Sequence, residues 1–150
     1  MEIKTLNDAR EVLSSIPTIN FGGCGISALS MYLWMKKYDK IPPDFKFYLG
    51  FRSSNKNSYE NAVSNFVKKE NCQLYAPSHV VIFINGKYID SDETITNLDD
   101  EYRYTLSIGK NTKNLINLIN GINWNRDFDR NKYIPYIESK LGIKFPKRIK

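Results

Sequence analysis

The run Val80-Val81-Ile82-Phe83-Ile84, then Asn85-Gly86, then Lys87-Tyr88-Ile89-Asp90 constrains the fold of this chain more than any other stretch. β-Branched and aromatic residues on both sides of Asn-Gly specify two antiparallel strands joined by a two-residue turn. Both turn positions need positive φ, which Asn and Gly accept most readily. Such a turn sets the register: Ile84 faces Lys87, Phe83 faces Tyr88, Val81 faces Asp90 and His79 faces Asp92. Opposed and alternate residues share a face, so His79, Asp90 and Asp92 are expected on one side of the sheet, with Ser91 turned away. Asp92 is then directly across from the imidazole and Asp90 diagonal to it. His79 is the single histidine of the chain.

A second stretch, Asn20-Phe21-Gly22-Gly23-Cys24-Gly25, leads into an apolar, helix-compatible run from Ile26 to Met35. A thiol where a tight turn enters a helix lies beside the unsatisfied amide protons of the first turn. Those amides and the macrodipole favour an anion there, which makes the thiolate more accessible. The alternative is a small apolar residue filling a helix contact. His79 is the side chain suited to serve Cys24 as a base near neutral pH. A carboxylate beside that histidine fixes its tautomer and stabilises the imidazolium, which in turn holds the thiolate. Cys24, His79 and Asp90 are the candidate catalytic residues, with Asp92 as a secondary carboxylate.

The remaining pattern describes one α+β domain over residues 1–150, helices leading and an antiparallel sheet following. A first helix is expected over Thr5 to Ile16, capped by Asn7 or Asp8, with Leu6, Ala9, Val12 and Leu13 inward. The second, Cys24 to Lys37, carries so broad an apolar face (Cys24, Ala28, Leu29, Met31, Tyr32, Leu33, Met35) that it should be the central, largely buried helix. Phe45 to Phe51 alternates as a strand, Arg52 to Asn57 is a polar loop, and Ser58 caps a third helix reaching about Glu70 with Ala62, Val63, Phe66 and Val67 buried. Arg103 to Ile108 reads as a strand. A helix capped by Thr112 and ended by Gly121 follows, and a short one from Pro135 to Leu141 closes at Gly142. Cys72 is taken as packing. Trp124 is read as an anchor rather than a stacking platform.

At 41% hydrophobic and 25% charged residues, the composition is that of an ordinary globular chain. Two cysteines without CxxC spacing give neither a disulfide framework nor a zinc site. The absence of an apolar leader or a long apolar run suggests a soluble protein of a reducing, cytoplasmic compartment with no membrane partner. The net charge of +6 is partly carried by Lys140, Lys144, Lys147, Arg148 and Lys150. These read as a solvated tail, and nucleic acid is the weaker alternative for a partner.

Gly22-Gly23-Cys24-Gly25 before a helix, then Ser78-His79-Val80-Val81, then Gly86-Lys87-Tyr88-Ile89-Asp90-Ser91 resembles the papain-like superfamily. The likeness is nearest to its transglutaminase-like and small bacterial or phage thiol-enzyme branches, and it covers about Asn20 to Asp92. It implies a Cys-bearing central helix packed on an antiparallel sheet, with Cys24 as nucleophile, His79 as base and acid, and Asp90 as orienting carboxylate. The implied activity is that of a hydrolase or acyltransferase acting on an amide, ester or thioester carbonyl, of a peptide, another amide or an acyl compound. No metal or organic cofactor is implied. Papain-type peptidases carry a glutamine a few residues before the cysteine to hold the oxyanion. Here Pro17-Thr18-Ile19-Asn20 stands in that place, so Asn20 or Thr18 would substitute, alongside the Cys24 amide. The superfamily also includes inactive members, which makes a silent binding domain the second expectation.

Overall fold

The first helix is fixed by its capping chemistry. α1 (Leu6–Ser14) starts after Thr5, whose hydroxyl accepts the Asp8 amide while the Asp8 carboxylate accepts the Thr5 amide. Thr5 is therefore the cap, and Asp8, expected as a cap, is its reciprocal partner one turn in. These details come from a computed structural model that describes residues 2–20, 22–65, 77–120 and 128–149.

α2 (Cys24–Lys37) has the bounds its pattern predicts. Every residue from Cys24 to Met31 is buried, as are Trp34 and Met35. A helix buried all round is a core helix, and α2 packs against α1, the later helix α4 and the sheet. The sheet comprises β1 (Lys46–Phe51), β2 (His79–Ile84), β3 (Lys87–Ile89), β4 (Thr94–Ile95) and β5 (Tyr104–Gly109), all neighbours antiparallel, in the order β4-β3-β2-β1-β5. Asn85 and Gly86 both adopt positive φ, 50° and 78°, and the Asp44 carboxylate accepts both of their amides. The β2–β3 register is the expected one as far as it runs: Ile84↔Lys87, Phe83↔Tyr88, Ile82↔Ile89.

Alternation along β2 divides the interior. Val80, Ile82 and Ile84 join the main core with α2, whereas Val81 joins a smaller cluster with Ile95, Leu98 and Tyr102. His79 belongs by parity to the Val81 face and sits at the end of the strand, where the start of α2 reaches it.

The other helices differ from expectation mainly at their ends. α3 (Lys56–Asn65) begins ahead of Ser58, after a 3-10 turn at Ser53–Asn55. Ala62 is buried, but Val63 is 47% exposed; Phe66, Val67, Glu70, Cys72 and Trp124 lie outside the described residues. α4 (Thr112–Ile119) is capped by the Asn111 side chain, not by Thr112. α5 (Arg130–Leu141) is capped by Asp129 and carries Pro135 within it rather than in its first turn. Pro135 and Asn131, whose carbonyl it cannot serve, are both exposed, so the missing bond is met by solvent. The whole is mixed α+β, with five α-helices and a five-stranded antiparallel sheet among the described residues. No helix among them is long and apolar enough to cross a membrane.

Candidate active site

Cys24 is the first residue of α2, and no side chain caps that helix. The first intrahelical bond is Ser27 N–H to the Gly23 carbonyl at 2.8 Å. The amides of Cys24, Gly25 and Ile26 therefore stand at the start of the helix without an intrahelical partner. Gly23 is there for space. A Cβ on it would lie 2.6 Å from the Ile19 carbonyl oxygen and 2.8 Å from the Phe128 ring. The loop, α2 and the start of α5 thus close on one another at the residue before the thiol.

His79 opens β2 opposite Gly50 of β1. The preceding residue is tied on three sides. The Ser78 amide donates to the Gly50 carbonyl, its hydroxyl donates to Asn55 Oδ1, and that same hydroxyl accepts the Arg52 amide. Asp90 follows β3 and forms a turn with its own carboxylate: Oδ1 accepts the amides of Asp92 and Glu93 at 2.7 and 2.6 Å. Oδ2 is left for His79, whose Nε2 lies 2.8 Å away. Cys24 lies near enough to the imidazole to raise its proton affinity. The structure therefore pairs His79 with Asp90 and places Cys24 near the imidazole.

Burial pulls the imidazole toward its neutral form. The Asp90 hydrogen bond, followed by the influence of nearby Cys24, outweighs it and raises the pKa from 6.5 to about 10. Burial likewise pushes Asp90 up, but bonds from His79 and the Glu93 and Asp92 backbone hold its carboxyl below the ordinary 3.8. At neutral pH the pair is an imidazolium on a carboxylate. Cys24, His79 and Asp90 are all buried, at 2%, 7% and 5% exposure. Tyr102 lies over the imidazole, ring centroids 6.2 Å apart and planes 26° from parallel. Burial and nearby Glu101 push its phenol up to about 12, with Arg52 acting against them and Cys24 and Asp90 adding to the rise. Gly50 admits this ring: a Cβ there would lie 2.7 Å from it.

Two expected site residues are placed elsewhere. Asp92 does not face His79, because the β2–β3 ladder stops at Ile89 and the Asp90 carboxylate curls residues 90–93 into a loop. β3 then pairs with β4 through Ile89↔Thr94. Asp92 is exposed and accepts from Asn20 Nδ2 at 2.6 Å. Ser91, expected to turn away, is buried and accepts from the same nitrogen at 3.1 Å. Both protons of the Asn20 amide are thus committed, so it holds no donor for an oxyanion. The Thr18 hydroxyl donates to the Pro17 carbonyl.

Arg10, Tyr102 and Gly50 also shape the surroundings of the site. Gly50 alone carried a sequence signal, an isolated glycine in a strand of aromatics. No cluster of three or more metal-ligating side chains occurs among the described residues. Comparison with known proteins returned no matching family model, no matching curated protein and no matching solved structure.

Proposed function

We propose that the chain is a papain-like thiol hydrolase or acyltransferase working through Cys24, His79 and Asp90. The observation that carries this reading is the juxtaposition itself: a cysteine at an uncapped helix start, an imidazole near enough to it to feel its charge, and a carboxylate 2.8 Å from the Nε2 of that ring. Each part has a chemical role. Cys24 attacks the carbonyl carbon as the thiolate, and the new carbon–sulfur bond places negative charge on oxygen near the amides at the start of α2. Collapse breaks the bond to the leaving group, which takes its proton from the His79 imidazolium. His79, now neutral, then takes a proton from the incoming nucleophile as that attacks the thioester, and breaking the carbon–sulfur bond releases the Cys24 thiolate beside the restored imidazolium. Water as that nucleophile makes the protein a peptidase or amidase, and an amine makes it a transferase.

The test is mass-mapped alkylation of the native protein with iodoacetamide at pH 7. Modification is expected at Cys24, to be abolished in Cys24→Ala with the fold retained, and to slow strongly in His79→Ala. Labelling confined to Cys72 in the native protein would overturn the reading. A second reading, a papain-like domain used for binding without turnover, is favoured by the burial of all three residues and by the Tyr102 ring over the imidazole. It predicts a Cys24 that stays inert until the protein is unfolded.

A further inference from the structure

We propose that Arg10 is a positioning residue of this site, clasping the loop that holds Asp90 against His79 and thereby setting the charge on the imidazole. This rests on the thiol-enzyme reading only in calling the site catalytic.

The need for such a clasp follows from where Asp90 sits. It belongs to a four-residue connection, residues 90–93, between β3, three residues long, and β4, two residues long, at the edge of the sheet. Short edge strands hold their loops weakly, whereas a working carboxylate must be fixed to within about half an ångström. The loop's own bonds, Asp90 N–H to the Glu93 carbonyl at 3.0 Å and the two amides on Oδ1, fix its shape. They do not fix its place relative to β2.

Asn20 ties the middle of the loop through Ser91 and Asp92, and Arg10 of α1 ties both its ends, from 80 residues away in the chain. Its Nε donates to the Asp90 carbonyl at 2.8 Å and its Nη2 to the Glu93 carbonyl at 2.9 Å, while Nη1 reaches Asn7 Oδ1 at 3.3 Å. One planar guanidinium therefore grips both ends of the loop, a geometry that a lysine ammonium does not reproduce. The cation is half-buried and lies within electrostatic reach of the Asp90 and Asp92 carboxylates. The groups facing the imidazole are Cys24 from α2, Asp90 from this loop and the Tyr102 ring. Asp90 is the one of the three that Arg10 grips directly.

The single histidine makes the test clean. His79 ring signals are followed by NMR from pH 6 to 11 in the full-length chain and in Arg10→Ala, Arg10→Lys and Asp129→Ala. The last of these removes the α5 cap and serves as a control for general destabilisation. The expected result is a His79 pKa lower by about one unit in Arg10→Ala, which corresponds to a tenfold weaker hold on the proton. Arg10→Lys should fall between Arg10→Ala and the natural chain, and it carries the test if Arg10→Ala does not fold. Asp129→Ala should titrate like the natural chain. An unchanged His79 titration in a folded Arg10 variant, or an equal shift in Asp129→Ala, overturns the proposal. A Cys24 inert to iodoacetamide together with a shifted His79 titration upholds the clasp and rejects the thiol chemistry.

Discussion

The Asp90 carboxylate has two oxygens with separate tasks, and this division sets how the site responds to pH. Oδ1 shapes the loop and Oδ2 holds the imidazole. The folded-state pKa of His79 is raised, so its contribution to stability is fully present below its ordinary 6.5 and is lost as pH rises through about 10. That of Asp90 is lowered, so its contribution is present above 3.8 and is lost as pH falls through its folded value. The pair therefore stabilises the fold most between about pH 4 and 6.5. Asp90→Asn keeps an oxygen for the loop amides and removes the charge. It is expected to cost about 2 kcal/mol in urea unfolding at pH 6, the range for a buried charged hydrogen bond. The cost should shrink at pH 10. A difference independent of pH would show that the ion pair is not what stabilises this region.

Among the elements, those written by local chemistry were legible and those written by distant contacts were not. The α2 bounds and the Asn85-Gly86 hairpin follow from periodicity and turn residues, and both are present. Strand alternation does not place Asp92, because it ends at Ile89, where the Asp90 carboxylate begins to bond the following amides. β4 is too short to leave a pattern, and α5 was begun at Pro135 although Asp129 is the cap. The grip of Arg10 on residues 90–93 joins segments 80 or more positions apart, which no single-sequence period encodes. Gly23 shows the same limit. It was read as part of a glycine turn, yet its φ of −104° is open to any residue, and the constraint is contact with Ile19 and Phe128. Gly23→Ala is expected to lose about 1–3 kcal/mol by overpacking and to displace Cys24. Thermal unfolding, together with the iodoacetamide rate of the folded fraction, reads both effects. Natural values for both would mean that the neighbouring Ile19 and Phe128 yield.

Across the whole molecule, α2 separates two ends of different charge. Lys36, Lys37, Lys140 and Lys144 border two clefts of about 430 and 550 Å³ beside its C-terminus, about 20 Å along the helix from Cys24 at 1.5 Å per residue. There they suit the negative ends of α2 and α5, so this part of the basic excess does not line the site. At the other end, exposed Asp92, Glu93, Asp99, Asp100 and Glu101 occupy the segment that runs from the Asp90 loop to Tyr102. That segment rests on a two-residue strand and a 3-10 turn over the smaller of the two hydrophobic clusters. It has little to oppose local opening, whereas Cys24 is anchored in the main core. Access to the thiol should therefore be governed by how Tyr102 leaves the imidazole. Tyr102→Ala is expected to raise alkylation of Cys24 by a bulky maleimide about tenfold, the equivalent of about 1.4 kcal/mol in barrier, and to raise the iodoacetamide rate much less. Tyr102→Phe keeps the ring and should behave as the natural chain. If the ratio of the two reagent rates is the same in all three proteins, the thiol is reached by a route that Tyr102 does not cover.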